Sequence, residues 1–232
     1  MSASRPSVSV VIPVHNEADY LPPAIERLFV ELASVDADVD VLLAENGSTD
    51  GTAEVGRGLG EQYPALSVLE LPTPDYGAAM RAGFLRATGD WVVNFDIDYF
   101  SGEFLDAALS HDEADIVLGS KRAPGSDDRR TWFRRFATWG FNVLLRTILG
   151  SRVSDTHGMK ALRRTTVQQI APAVVSTTDL FDTELVIRAE RAGYAIVEIP
   201  VVVEELRTSK SQLWKRVPRT VRGLWRIRRN LA

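Results

Sequence analysis

From its N-terminus onward the chain alternates two kinds of apolar pattern, and that alternation narrows the possible folds more than any other feature. VSVVIP (Val8 to Pro13) is a short run rich in β-branched residues, as a buried strand requires. YLPPAIERLFVEL follows, with apolar Ile25, Leu28, Phe29 and Leu32 at helical spacing. VDVLLAEN reads as a second strand, and STDGTAEVGRGLGEQY as a helix that Ser48 or Thr49 is placed to cap. LSVLEL, GAAMRAGFLRA, DWVVNF and ADIVLGS carry the same rhythm to residue 120. Strands alternating with helices predict βαβ units and a parallel sheet covered on both faces. Ligands of such sheets bind beyond the carboxyl ends of the strands. HNE, ENGSTD and DID follow the first, second and fourth strands, so three polar, acid-rich clusters are expected on one rim.

The fourth cluster of apolar residues, WVVNF, ends in Asp96 and Asp98 with only Ile97 between them. On an alternating strand, side chains at i and i+2 share a face. Two carboxylates so placed repel each other unless a cation or solvent lies between them. With no cysteine and three histidines, such a site suits a hard divalent cation with oxygen ligands. Mg²⁺ or Mn²⁺ held by one or two carboxylates usually completes its shell with phosphates and water. The rim therefore predicts a phosphorylated ligand, most simply a nucleoside diphosphate. No G-x-G-x-x-G follows the first strand and no P-loop is present, which argues against a dinucleotide site of the usual kind.

Beyond residue 120 the pattern loosens. KRAPGSDDRR is a charged loop, and TWFRRFATWGFNVLLRTIL (about 131–149) reads as an amphipathic helix with Phe133, Phe136, Phe141 and Leu144 on one face and Trp elsewhere. DTHGMKALRR is a turn leading into a short strand or helix, LFDTELVIRAERAGY a helix and AIVEIPVVV a strand. The 232 residues carry a net charge of −4, but Arg207 to Ala232 hold two Lys, seven Arg and no acid. That segment is +9 and the rest −13, so an anionic partner for the tail is expected. The tail interleaves Leu213, Trp214, Val217, Val221, Leu224, Trp225 and Ile227 with these basic residues, the pattern of a helix lying in an anionic membrane surface. Packing of both amphipathic helices on the body or a partner subunit is the alternative. No apolar run approaches the about 18 residues of a spanning helix, and the N-terminus lacks a signal peptide's apolar core. A nucleic-acid partner is not expected, because the body is acidic and no binding motif is present.

Four segments in order, VSVVIPVHNEADYLPPAIERL, LLAENGSTDGT, GAAMRAGFLRATGDWVVNFDID and FDTELVIRAERAGYAIVEIPV, resemble family 2 glycosyltransferases of the GT-A fold. The GSKR, DTHGMKALRR and SKSQL segments make the chain most similar to polyprenyl-phosphate (dolichyl-phosphate) mannose or glucose synthases. The resemblance implies a Rossmann-like, mostly parallel α/β sheet over residues 1–206, followed by a basic amphipathic segment over 207–232. It implies that Pro13, His15 and Glu17 touch the nucleoside, that Glu45, Asn46 and Asp50 line its base, and that Asp96 and Asp98 meet ribose, metal and diphosphate. Lys121 and Arg122 then match a basic pair near the phosphates, Asp155 an acid on the acceptor side, and Arg207, Lys210 and Ser211 a basic segment closing over the phosphates. The implied cofactor is Mn²⁺ or Mg²⁺. The implied partners are a nucleotide-diphosphate sugar, a polyprenyl-phosphate acceptor and an anionic cytoplasmic membrane face, with a second copy of the chain as an optional partner. The pattern departs from the family at His15, where Tyr is usual, at Glu45-Asn46, where Asp-Asp is usual, and at Phe100, near the place of a third metal ligand.

Sugar transfer needs a stabilised leaving diphosphate and an acceptor aligned behind the anomeric carbon. A phosphate acceptor is already anionic near pH 7 and is expected to react with inversion while Arg122 and Arg207 hold it, with Asp98 among the catalytic groups. A hydroxyl acceptor needs a base instead, with Asp155, Asp179 or Asp182 as candidates. A binding protein that kept the fold without catalysis is the remaining alternative. His157 reads as a turn residue or acceptor contact, and Asp182 and Glu184 as acids serving a helix dipole.

Overall fold

The computed structural model describes residues 5–177, 180–203 and 213–231. Arg207, Lys210, Ser211 and Asp179 lie outside the described residues. The element order is β1 (Ser7–Val14), α1 (Leu21–Leu32), β2 (Asp38–Asn46), α2 (Thr52–Gln62), β3 (Leu66–Leu71), α3 (Tyr76–Arg86), β4 (Trp91–Asn94), α4 (Gly102–Leu109) and β5 (Ile116–Ser120). There follow β6 (Asp127–Asp128), α5 (Trp132–Leu144), β7 (Lys160–Arg163), α6 (Arg164–Ile170), α7 (Phe181–Ala192), β8 (Ile196–Pro200), β9 (Val202–Val203) and α8 (Leu213–Asn230). The expected strands and helices of the first half are present. The sequence reading passed over α4, whose eight residues open on the Ser101 hydroxyl accepting the Phe104 amide.

Seven strands form one sheet in the order β3-β2-β1-β4-β7-β5-β8, while β6 and β9 pair separately. The strand order reverses between β1 and β4, the position at which open α/β sheets bind ligands. β7 runs antiparallel to both β4 and β5, and the other pairs in this sheet are parallel. Period-two alternation divides the sheet between two cores. Val8, Val10, Ile12, Val93 and Phe95 pack with α1 and α4 on one face, while Val11, Val92, Ile116 and Leu118 pack with α3, α6 and α7 on the other.

A third apolar cluster lies outside the sheet. One π-helical turn, Leu145–Leu149, continues α5 and packs through Leu145, Ile148 and Leu149 against Leu180 and Ile187 at α7 and Leu224 and Ile227 of α8. The Arg228 guanidinium donates to the Ile148 carbonyl at 2.8 Å, and the Arg191 guanidinium reaches the Leu149 and Leu231 carbonyls. One side of α8 is thus buried against the body. The outward side of α5 is different from the expectation. Trp132, Phe136, Trp139 and Val143 recur at i, i+4, i+7 and i+11 and are exposed together with Phe133, so Trp joins the exposed apolar stripe rather than lying apart from it.

Candidate active site

Three loops meet at the reversal point. After β1, His15 Nδ1 bonds the Asn46 carbonyl oxygen at 2.8 Å, and Asn16, at φ 55°, accepts the Thr49 amide while its own amide donates to the Ser48 hydroxyl. Asp50 accepts from the Ala18 amide, the Thr52 amide and the Thr52 hydroxyl, so it ties the β1 loop to the start of α2. The Thr52 hydroxyl is the largest cause holding the Asp50 carboxyl below the usual carboxylate range. Glu45, buried, accepts the Ser48 amide, and the Asn46 amide oxygen accepts the Asp75 amide at 2.6 Å. Gly47, at φ +63°, lies where a Cβ would meet the Pro74 nitrogen at 2.7 Å, so the β2 and β3 loops press directly together. His15, Asn46, Glu45 and Asp50, residues expected at the nucleoside, thus tie the loops after β1, β2 and β3 into a shelf.

Asp96 and Asp98 do not lie on a pleated strand. β4 stops at Asn94, and residues 96–99 form a tight turn closed by Asp96 and Tyr99 exchanging amide-to-carbonyl bonds of 3.2 and 3.0 Å. The two residues sit on a turn rather than a pleat, and Ile97 between them is buried in the core. Phe100 is also core, so it offers no ligand. Asp96 keeps an open path to solvent, yet desolvation of its carboxylate within the cleft raises its pKa to about 6. Asp182 and Asp98 push the same way, while Lys160 and Lys121 oppose them.

Beside Asp96 opens a cavity of about 270 Å³ lined by Tyr76, Asn94, Asp96, His157 and Asp182. The antiparallel β7 explains the presence of His157. Its first residue, Lys160, pairs with Asn94 and Leu118, so the turn before it reaches the same rim as the ends of β4 and β5. Gly158 in that turn approaches the Gly119 carbonyl so closely that a Cβ would sit 2.2 Å from its oxygen. The His157 ring packs edge-on against Phe141 of α5 at 4.9 Å between centroids. Burial pushes the His157 pKa down against the pull of Asp182 and Asp155, favouring the neutral ring.

The acids on this side are already engaged. Asp155 faces Lys121 at 3.6 Å and accepts the His157 amide at 3.0 Å. Burial alone would raise its pKa, but Lys121 and the amide contacts outweigh it and hold the carboxyl below its ordinary value. Asp182 accepts Lys160 Nζ at 2.9 Å and the Tyr76 hydroxyl at 2.7 Å. Tyr76, Asn94 and Lys160 were not among the sequence candidates. The signal for Lys160 was available as a lone charge inside the apolar GMKAL run.

The profile of glycosyl transferase family 2 matches residues 9–170. The chain belongs to that family. This family 2 glycosyltransferase is 31% identical over 216 residues to an undecaprenyl-phosphate mannosyltransferase of Micrococcus luteus, covering 89% of this chain and 87% of the relative. It is 34% identical over 162 residues to an undecaprenyl-phosphate 4-deoxy-4-formamido-L-arabinose transferase of Enterobacter sp., covering 68% of this chain and 49% of that one. Its fold is shared with glucosyl-3-phosphoglycerate synthase of Mycobacterium tuberculosis, crystallised with Mn²⁺, UDP-glucose and phosphoglyceric acid, at a TM-score of 0.70 and 20% identity over 97% of this chain and 80% of that one. The family assignment makes the chain a glycosyltransferase and retires the reading of it as a binding protein without catalysis.

Proposed function

We propose that this glycosyltransferase moves a hexose, with inversion, from a nucleoside diphosphate sugar to the phosphate of a polyprenyl phosphate, at an anionic membrane surface on the cytoplasmic side. The observation that carries the choice of acceptor is the double pairing of acids with lysines. Asp155 faces Lys121 and Asp182 faces Lys160, and both carboxylates have hydrogen bonds already made. A carboxylate held in this way is a poor proton acceptor for a hydroxyl nucleophile. A phosphate monoester, with a second pKa of about 6, needs no such base. The polyprenyl-phosphate transferases among the relatives support the same choice.

Asp96 and Asp98 fit a hard divalent ion. An ion held by two carboxylates takes its remaining ligands from phosphate and water. Mn²⁺ or Mg²⁺, as found with the neighbouring synthases, supplies Lewis-acid neutralisation of the leaving diphosphate when bound there. The chain's own part is positioning. The shelf of Pro13, His15, Glu17, Glu45, Asn46 and Asp50 takes the nucleoside, and Asp96 and Asp98 orient the diphosphate. Arg122 is exposed at the mouth, and its guanidinium has no ion pair among the described residues. It is offered to the acceptor phosphate, a role also proposed for Arg207, Lys210 and Ser211, which lie outside the described residues.

No helix among the described residues is long and apolar enough to cross a membrane. The exposed stripe of α5 and the exposed Arg222, Arg226, Arg228 and Arg229 of α8 instead support docking at a lipid surface. Assay of GDP- and UDP-sugars against polyprenyl phosphate, with Mn²⁺ and with chelator, tests the proposal. Turnover that persists in chelator, or the absence of glycolipid from every donor, sinks it.

A further inference from the structure

The Lys160 ammonium is 1% exposed and sits directly beneath the cavity, where it donates to Asn94 Oδ1 at 2.8 Å and Asp182 Oδ1 at 2.9 Å. A buried ion pair is a weak source of stability, because apolar side chains of similar volume serve as well or better. Its two acceptors, however, both line the cavity. The second Asp182 oxygen accepts the Tyr76 hydroxyl, and Tyr76 starts α3 where the Gly77 amide is held by the Thr177 carbonyl at 3.1 Å. The Asn94 amide nitrogen donates to the Phe95 carbonyl at 3.2 Å. An amide, a carboxylate and a phenol thus line the cavity, each held in place by a hydrogen bond. Fixed polar groups of this kind discriminate between positions of a hydroxyl group far better than an apolar wall does. At about 270 Å³ the cavity falls below the about 300–1,000 Å³ typical of drug-sized ligands, so it takes part of a donor and not the whole.

We infer that Lys160 is a positioning residue that locks Asp182 and Asn94 into a hydroxyl-reading wall, and that this wall selects the donor hexose by the configuration of its hydroxyls. The inference rests on the proposed use of a nucleotide-sugar donor. It places sugar choice in a buried lysine that never touches the sugar, apart from the shelf that takes the nucleoside and from the metal-binding turn.

Lys160→Met leaves the Asp182 charge unpaired and risks misfolding, so the charge-neutral pair Lys160→Met with Asp182→Asn is measured beside it. Thermal melting reports folding. Calorimetric titration in Mn²⁺ uses GDP and UDP alone, then GDP-mannose against GDP-glucose and UDP-glucose against UDP-galactose. The expected result is that the double variant binds the free nucleotides within about twofold of wild type, while its preference between sugar epimers shrinks by about tenfold or more. An unchanged epimer preference overturns the inference, as does a parallel loss of free-nucleotide affinity, or a wild-type chain that binds the epimers equally. A wild-type chain that binds no nucleotide sugar at all overturns the donor reading as well, and so separates the two failures.

Discussion

Lys121 Nζ lies 3.6 Å from Asp155 Oδ2, and both side chains are largely buried at the mouth of the site. The pair ties the end of β5 to the turn before β7, since Asp155 also accepts the Lys121 and His157 amides. Asp155→Asn is expected to destabilise the fold by about 1–3 kcal/mol at pH 7, the cost of leaving buried polar groups poorly matched. The sign of the pH dependence follows from a folded pKa below the unfolded one. The carboxylate's contribution is complete above about pH 4 and fades as pH falls through the lower folded value. Melting curves of wild type and variant should therefore converge in acid. If Asp155 were a general base, the variant would instead lose turnover by orders of magnitude and change the shape of the pH–rate profile.

Asp96 has the opposite sign. Its folded pKa, raised to about 6 chiefly by desolvation of the carboxylate, exceeds that of an unfolded aspartate. Between about pH 4 and 6 the folded chain holds more protons than the unfolded one, so metal-free stability declines as pH rises. Asp96→Asn should raise the metal-free melting temperature at pH 7.5 and do little at pH 4, while abolishing the Mn²⁺-dependent part of donor binding. A variant less stable than wild type at pH 7.5 without metal contradicts this.

Membrane docking has its own signature. Removing the charge of Arg222, Arg226 and Arg229 costs about 1 kcal/mol each at an anionic surface, or about two orders of magnitude in partitioning for all three. Trp132→Ala with Trp139→Ala should weaken vesicle binding further at high salt, where the charge contribution is screened. Because these side chains are exposed, the melting temperature should hold. Equal co-sedimentation of wild type and variants with anionic vesicles would refute the docking surface.

Gly158→Ala places a methyl group 2.2 Å from the Gly119 carbonyl oxygen, and backbone on both sides leaves little room to yield. The variant should unfold at markedly lower temperature or fail to accumulate, by more than the about 0.5–3 kcal/mol of ordinary substitutions. Gly140→Ala, where a Cβ meets nothing within 4 Å, is the control and should be stable.

The first half of the sheet was legible because each strand there carries its own β-branched run and each helix its own apolar spacing. Val8, Val10, Ile12, Val41 and Leu43 announce a buried strand without help from distant residues. β7 was not legible in the same way. KALR has four residues and leads straight into α6, and its place between β4 and β5 is set by partners 40 to 70 positions away. The site divides along the same line. Asp96 and Asp98 follow a strand end that local pattern reveals, although they sit on the turn at 96–99 and not on the pleat. Tyr76, Asn94 and Lys160 acquire meaning only once β7 is threaded, because Lys160 meets Asn94 across that pairing.

β7 also fixes an order of events during synthesis. β4 and β5 are never neighbours in the finished sheet; a strand made some 40 residues after β5 separates them. A nascent chain that has emerged only as far as residue 150 holds β1 to β4 with one flank of β4 unsatisfied, an open edge of the sort that recruits other polypeptides. Closing that edge and completing the pocket floor are one step, since the residue that opens β7 is Lys160 itself. Truncated or stalled products should thus be sticky and wholly inactive, and the newly made enzyme should gain solubility and sugar recognition at the same moment.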